Sequence, residues 1–213
     1  MSEGSEIGGI YRGAYKAAIE LVCTSVDAYA KVAGQSQAIA DVMLFEIAKH
    51  IEKMPEGRAA KFLDHFLFGG GEDMTFHSAT LLNEDIGVRR RVSDVIGEKL
   101  RANPSLAKKN MSGGEYVISI RQRDYLIPDW KNALGSFAFE WELANLSSDR
   151  KRIFANVWGA NEYKWHPAAD RVTQCIHKAG DRLAKSKEVR ARNFWMIGKP
   201  TIIVISTGKP IDV

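Results

Sequence analysis

Apolar positions recur every three or four residues over 7–33, where Tyr11, Tyr15, Ile19, Val22, Val26, Tyr29 and Val32 predict one face of a long helix. Gly34 is placed to end it, and Ser36 to cap the next. A second helix is expected from about Gln37 to Met54, with Ile39, Met43, Ile47, His50 and Ile51 inward and Pro55 as its stop. A third, over about 57–68, turns Phe62, Leu63, Phe66 and Leu67 inward and runs out in Gly69-Gly70-Gly71. Residues 72–82 alternate weakly at Met74, Phe76 and Ser78, which fits a short strand or a loop. A fourth helix over about 84–101, capped by Asn83, buries Val88, Val92, Val95, Ile96 and Leu100.

After residue 101 the pattern changes. Residues 102–114 carry Pro, Ser, Lys and paired Gly with little to bury, and read as a linker. Tyr116, Ile118 and Ile120 then alternate as a strand. Phe137, Phe139, Trp141 and Leu143 alternate with Ala138, Glu140 and Glu142, and Ile153, Ala155 and Val157 with Phe154, Asn156 and Trp158. A polar connector, Asn145 to Arg150, makes these two runs an antiparallel hairpin. A loop is expected over 159–167, followed by a helix from Pro167 to about Lys185 that buries Val172, Cys175, Ile176, Ala179 and Leu183. The closing run TIIVIS, 201–206, reads as a strand buried on both faces. Helices first and strands later make the fold class α+β: a helical region, 1–110, packed on an antiparallel sheet or half-barrel with one helix, 111–213.

Composition narrows the function classes. The chain has 213 residues, enough for a sizeable core, and no apolar run long enough for a membrane span. The first residues lack a secretory signal pattern, so synthesis in the cytoplasm and export by a dedicated machine are expected. Two cysteines, Cys23 and Cys175, fall on apolar helix faces and are expected as buried free thiols. A net charge of +4 permits an anionic partner without requiring one. Arg89-Arg90-Arg91 is expected on a solvated helix face, and no nucleic-acid partner is expected. No phosphate-binding loop, dinucleotide fingerprint, zinc spacing or serine elbow is present. His65 and His77, separated by the glycine break, are expected as core or surface residues.

The densest chemistry lies in residues 161–171. Glu162 or Asp170 could hold a divalent metal or act as a base, and Tyr163 could donate a proton. Arg171 could hold a phosphate near a helix start. Each also has a structural reading: Asp170 complements a helix dipole, and Tyr163 and Trp165 clamp the loop to the core.

The order of these features resembles the activity domain of the colicin M family. Leu134-Gly135 enters an aromatic strand, a second strand follows, and then Asn161-x-Tyr163-Lys164, five residues and Asp170-Arg171. The family carries Asp-x-Tyr-Asp, a short spacer and His-Arg. Phe194 to Val204, with Gly198-Lys199-Pro200, resembles that family's C-terminus, so the resemblance spans about 114–206. Tyr163 and Arg171 match the pattern; Asn161, Lys164 and Asp170 replace an aspartate, an aspartate and the histidine.

The resemblance implies a secreted antibacterial toxin or bacteriocin that hydrolyses lipid-linked pyrophosphate peptidoglycan precursors at the cell envelope, with magnesium. It implies Tyr163, Asp170, Arg171 and Glu162 as catalytic residues, and Asn161, Lys164 and His166 as substrate contacts. Glu162 and Asp170 would be the metal ligands. The partners implied are a lipid-linked substrate or the inner membrane surface, a cognate immunity protein and a component of a secretion machine. Two other classes stay open: a membrane-disrupting effector that uses its apolar N-terminal helices, and a non-toxic adaptor of a secretion or phage-like particle.

Overall fold

The computed structural model of the chain describes residues 3–51, 57–104, 106, 117–163 and 174–211. It is α+β, with most helices before most strands. Contacts divide it into two compact units, 1–72 with 163–194, and 73–162 with 195–213, so neither unit is confined to 1–110 or to 111–213. No helix among the described residues is long and apolar enough to cross a membrane.

The first unit is built on four helices: α1 (Glu3–Ala33), α2 (Gln37–Ile51), α3 (Arg58–Phe68) and α7 (Gln174–Lys185). Gly34, at φ 63°, ends α1, and the Ser36 hydroxyl accepts from the Ile39 N–H at the start of α2. α3 buries Phe62, Leu63, Phe66 and Leu67 as its periodicity predicts. α2 does not follow its predicted face. Ile39 and Met43 are exposed, and Ala40, Asp41, Leu44, Phe45 and Ala48 are inward. Leu44 and Phe45 share that inward face with Ala40, Ala48 and the ion-paired Asp41, one position round from the predicted stripe. On α1, Val26 is buried while Tyr29 and Val32 face out.

α1, α2 and α7 pack together. Asp41, 1% exposed, takes a two-pronged ion pair from Arg182 on α7, at 2.8 and 2.5 Å, and a hydrogen bond from Gln37 at 3.1 Å. The carboxylate's hydrogen bonds hold the Arg182 guanidinium above its ordinary pKa. The expectation of free thiols fails. Cys23 of α1 and Cys175 of α7 form a disulfide, their Cα atoms 6.5 Å apart and 152 residues apart in sequence. Each sits on the helix face turned toward the other, an adjacency that only the tertiary fold creates.

The second unit is a sheet with helices against one face. Its helices are α4 (Ser78–Glu84), α5 (Ile86–Ala102) and α6 (Pro128–Leu134). Its strands are β1 (Met74–His77), β2 (Val117–Ile120), β3 (Phe137–Leu146), β4 (Arg152–Tyr163) and β5 (Phe194–Ser206), in the order β1-β5-β4-β3-β2. β2, β3 and β4 are antiparallel neighbours, with Ile118 opposite Phe139 and Trp141 opposite Val157. β1 runs parallel to β5, so the sheet is mixed rather than wholly antiparallel.

Asp85, not Asn83, caps α5. Its carboxylate accepts from the N–H groups of Gly87 and Val88, and also from Leu126 and Ile127 at 2.9–3.1 Å. The break between α4 and α5 falls at that residue. Along α5, Val88, Val92, Ile96 and Leu100 are buried and Arg89, Arg90 and Arg91 are exposed. The inner sheet face holds Ile118, Phe139, Trp141, Val157, Met196 and Ile203, all buried.

The closing strand departs from its expected burial on both faces. Ile203 and Ile205 face the core, but Ile202 and Val204 face solvent, so one side of this strand is open. The burial alternation of β5 also slips by one residue across Lys199-Pro200-Thr201, as a bulge would make it.

Candidate functional site

The residues singled out by their chemistry sit at the end of β4 and just beyond. Sequence places Asn161, Glu162 and Tyr163 in a loop, yet they continue β4. The strand persists because the hairpin pairing carries its start: Ile153 lies opposite Leu146 and Gly159 opposite Phe139. Gly159 is required there, since a Cβ would run into the Phe137 ring and the Ala138 carbonyl. Lys164, His166, Asp170 and Arg171 lie outside the described residues, as do Trp165, Pro167 and Val172.

Each described candidate has a definite setting. Asn161 donates from its side-chain amide to the Ser136 carbonyl at 2.6 Å, which pins the end of β4 to the turn that opens β3. That bond takes up the amide. Glu162 is half-buried. Strand alternation puts it on the opposite side of β4 from Asn161 and Tyr163. Tyr163 is half-buried within an aromatic cluster of the first unit. Its ring stacks on Phe194 at 4.9 Å and 14°, with Phe66 at 6.0 Å and Phe62 at 6.4 Å. The His65 ring meets the same Phe194 edge-on at 4.6 Å, and its Nε2 is 2.6 Å from the Glu72 carbonyl, so that nitrogen carries the proton. The cluster fixes the plane of the Tyr163 ring at the end of β4.

Of the expected divalent-metal ligands, Glu162 and Asp170, only the first lies among the described residues. A magnesium or calcium site needs several converging oxygen ligands. Among the described residues no group of three or more His, Cys, Asp or Glu side chains converges to hold one.

Sequence reasoning missed two polar settings of the second unit. Asp85 is a buried hub for backbone N–H groups, and its signal was modest: an acid directly before Ile86-Gly87-Val88 at a helix start. Tyr125, buried beside that hub, has a hydroxyl without a hydrogen-bond partner among the described residues. Its pKa is driven upward by burial first, then by the Asp85 and Asp124 carboxylates. Both settings are sealed from solvent and hold structure rather than substrate.

Comparison with protein-family models, with curated proteins and with solved structures finds no match for this chain.

Proposed function

We propose that the chain is a secreted antibacterial toxin of the colicin M type, an effector that hydrolyses a lipid-linked pyrophosphate precursor of peptidoglycan at the cell envelope. The observation that supports it most is the Cys23–Cys175 disulfide. Such bonds belong to oxidising compartments, and the periplasm is one. A protein whose folded form carries this tie is suited to act outside the cytosol, where that substrate is exposed.

The second support is the β3–β4 hairpin, which delivers Tyr163 at a strand end directly before Lys164, His166, Asp170 and Arg171. In this reading the Tyr163 hydroxyl and the Arg171 guanidinium face the phosphates. Asp170 supplies a carboxylate for proton transfer, and Lys164 and His166 border the substrate; Glu162, on the opposite face of β4 from Tyr163, and Asn161, whose amide is held by the Ser136 carbonyl, take no part in this reading. Water adds across a phosphorus–oxygen bond, and the proton it loses passes to the leaving oxygen. A cognate immunity protein guards the producing cell, and a secretion-machine component carries the toxin out.

Tyr163→Phe separates this reading from a purely structural role. The substitution keeps the ring stacked on Phe194 and removes only the hydroxyl. Incubation of the purified protein with a lipid-linked pyrophosphate precursor, in the presence and absence of magnesium, is expected to release a phosphate-bearing sugar product. Tyr163→Phe is expected to slow release by 10²-fold or more, on the order of one acid–base group's contribution. Wild-type rates in a correctly folded variant would remove Tyr163 from the site.

A further inference from the structure

The outer face of the sheet in the second unit carries an apolar stripe along β5. Trp195, Ile197, Ile202 and Val204 are exposed by 51%, 36%, 61% and 45%. On the neighbouring strand β4, Phe154 and Trp158 are half-buried on the same face. Large apolar side chains in one strip of a sheet mark a surface that some other body covers.

The charges around the stripe indicate which body. Beyond Val204 the chain reaches Thr207, whose N–H donates to the Lys151 carbonyl at 2.9 Å, and Ile211 donates to the Arg150 carbonyl at 3.1 Å. These bonds gather four exposed cations, Arg150, Lys151, Arg152 and Lys209, at that end of the stripe. The carboxylate among them, Asp149, already accepts from the Ser147 hydroxyl and the Lys151 N–H. Lys199 interrupts the stripe itself. The acids of this face lie away from the cations. Glu140 and Glu142 are on β3, beyond β4, where they accept from the Trp158 indole and the Asn156 amide. Asp73 stands at the opposite end, beside the Trp195 N–H.

We propose that this face seats on the surface of an anionic phospholipid bilayer. Trp195 and the branched side chains of β5 would enter the boundary between headgroups and acyl chains, where indole rings are favoured. Arg150, Lys151, Arg152 and Lys209 would lie among the lipid phosphates, with Lys199 extending its stem along the apolar strip. Vesicle binding requires no turnover, so this inference and the proposed hydrolysis fail separately.

The test is flotation of the full, oxidised chain with vesicles of phosphatidylethanolamine and phosphatidylglycerol, beside vesicles of phosphatidylcholine alone, at low and at high salt. Two variants accompany it: Ile202→Ser with Val204→Ser, and Lys151→Gln with Arg152→Gln and Lys209→Gln. All five positions are exposed or at a turn, and circular dichroism checks the fold. Binding to the anionic vesicles is expected, weaker by about tenfold or more on the neutral ones, at high salt and in either variant. No binding to anionic vesicles at low salt would overturn the proposal, as would affinities that neither variant changes. So would a dimer, found by sedimentation, that the Ile202→Ser with Val204→Ser variant dissociates, since the face would then belong to a second copy.

Discussion

Tyr125 shows how a single buried hydroxyl carries a pH dependence. Its hydroxyl has no hydrogen-bond partner among the described residues, and burial beside Asp85 and Asp124 opposes its ionisation. In the unfolded chain it ionises near its ordinary 10.0, whereas in the folded protein it stays neutral well above that. The stability linked to this group is therefore complete below about pH 10 and is lost progressively as the pH rises further. Tyr125→Phe removes both the ionisation and an unsatisfied polar atom. It is expected to be neutral to about 1 kcal/mol stabilising at pH 7, and to retain more stability than the parent above pH 10. Urea titrations at both pH values check this. Single residues were also the scale at which sequence reading was weakest. Tyr163 was legible as a chemical group, but not as a member of a ring stack with Phe194, because that neighbour arrives from 31 residues further along the chain.

At the scale of elements, Asp85 joins pieces that local sequence leaves separate. It caps α5 and holds the backbone of Leu126 and Ile127, directly ahead of Pro128 and α6. Asp85→Ala strands several buried N–H groups and is expected to cost about 3 kcal/mol or more, with Asp85→Asn in between. Denaturant melts give the difference. Strands with strict alternation, β2, β3 and the start of β4, were legible because one face of the sheet is buried and the other is not. The same logic failed for 201–206. A run of isoleucine and valine reads as doubly buried, yet here its second face is open. α6 escaped notice because seven residues show too little period, whereas α2 was expected and only its inward face differs, lying one position round at Ala40, Asp41, Leu44, Phe45 and Ala48.

At the scale of the molecule, the α+β class follows from the order of periodicities along the chain, while the pairing of its cysteines does not. Cys23 and Cys175 are 152 residues apart, and only the packing of α1, α2 and α7 brings them together. In the chain-entropy picture, closing a loop of that length stabilises the fold by about 5 kcal/mol. Reduction, or Cys23→Ser with Cys175→Ser, is thus expected to lower the melting temperature markedly, as calorimetry with and without reductant would show. The candidate site was legible as a cluster of residue types. Its placement on a strand was not, because Gly159 and the hairpin register extend β4 through residues whose composition is that of a loop.

The proposed function has the protein kill from the periplasm through the chemistry of residues 161–171. The most direct measurement is bacterial growth with the chain expressed in the cytoplasm, and separately with a secretory signal attached, each as parent and as Arg171→Ala. Growth arrest is expected only from the periplasm, lost in Arg171→Ala while the folded, disulfide-bonded protein persists. Undiminished growth from both compartments, with folded protein present, would contradict it.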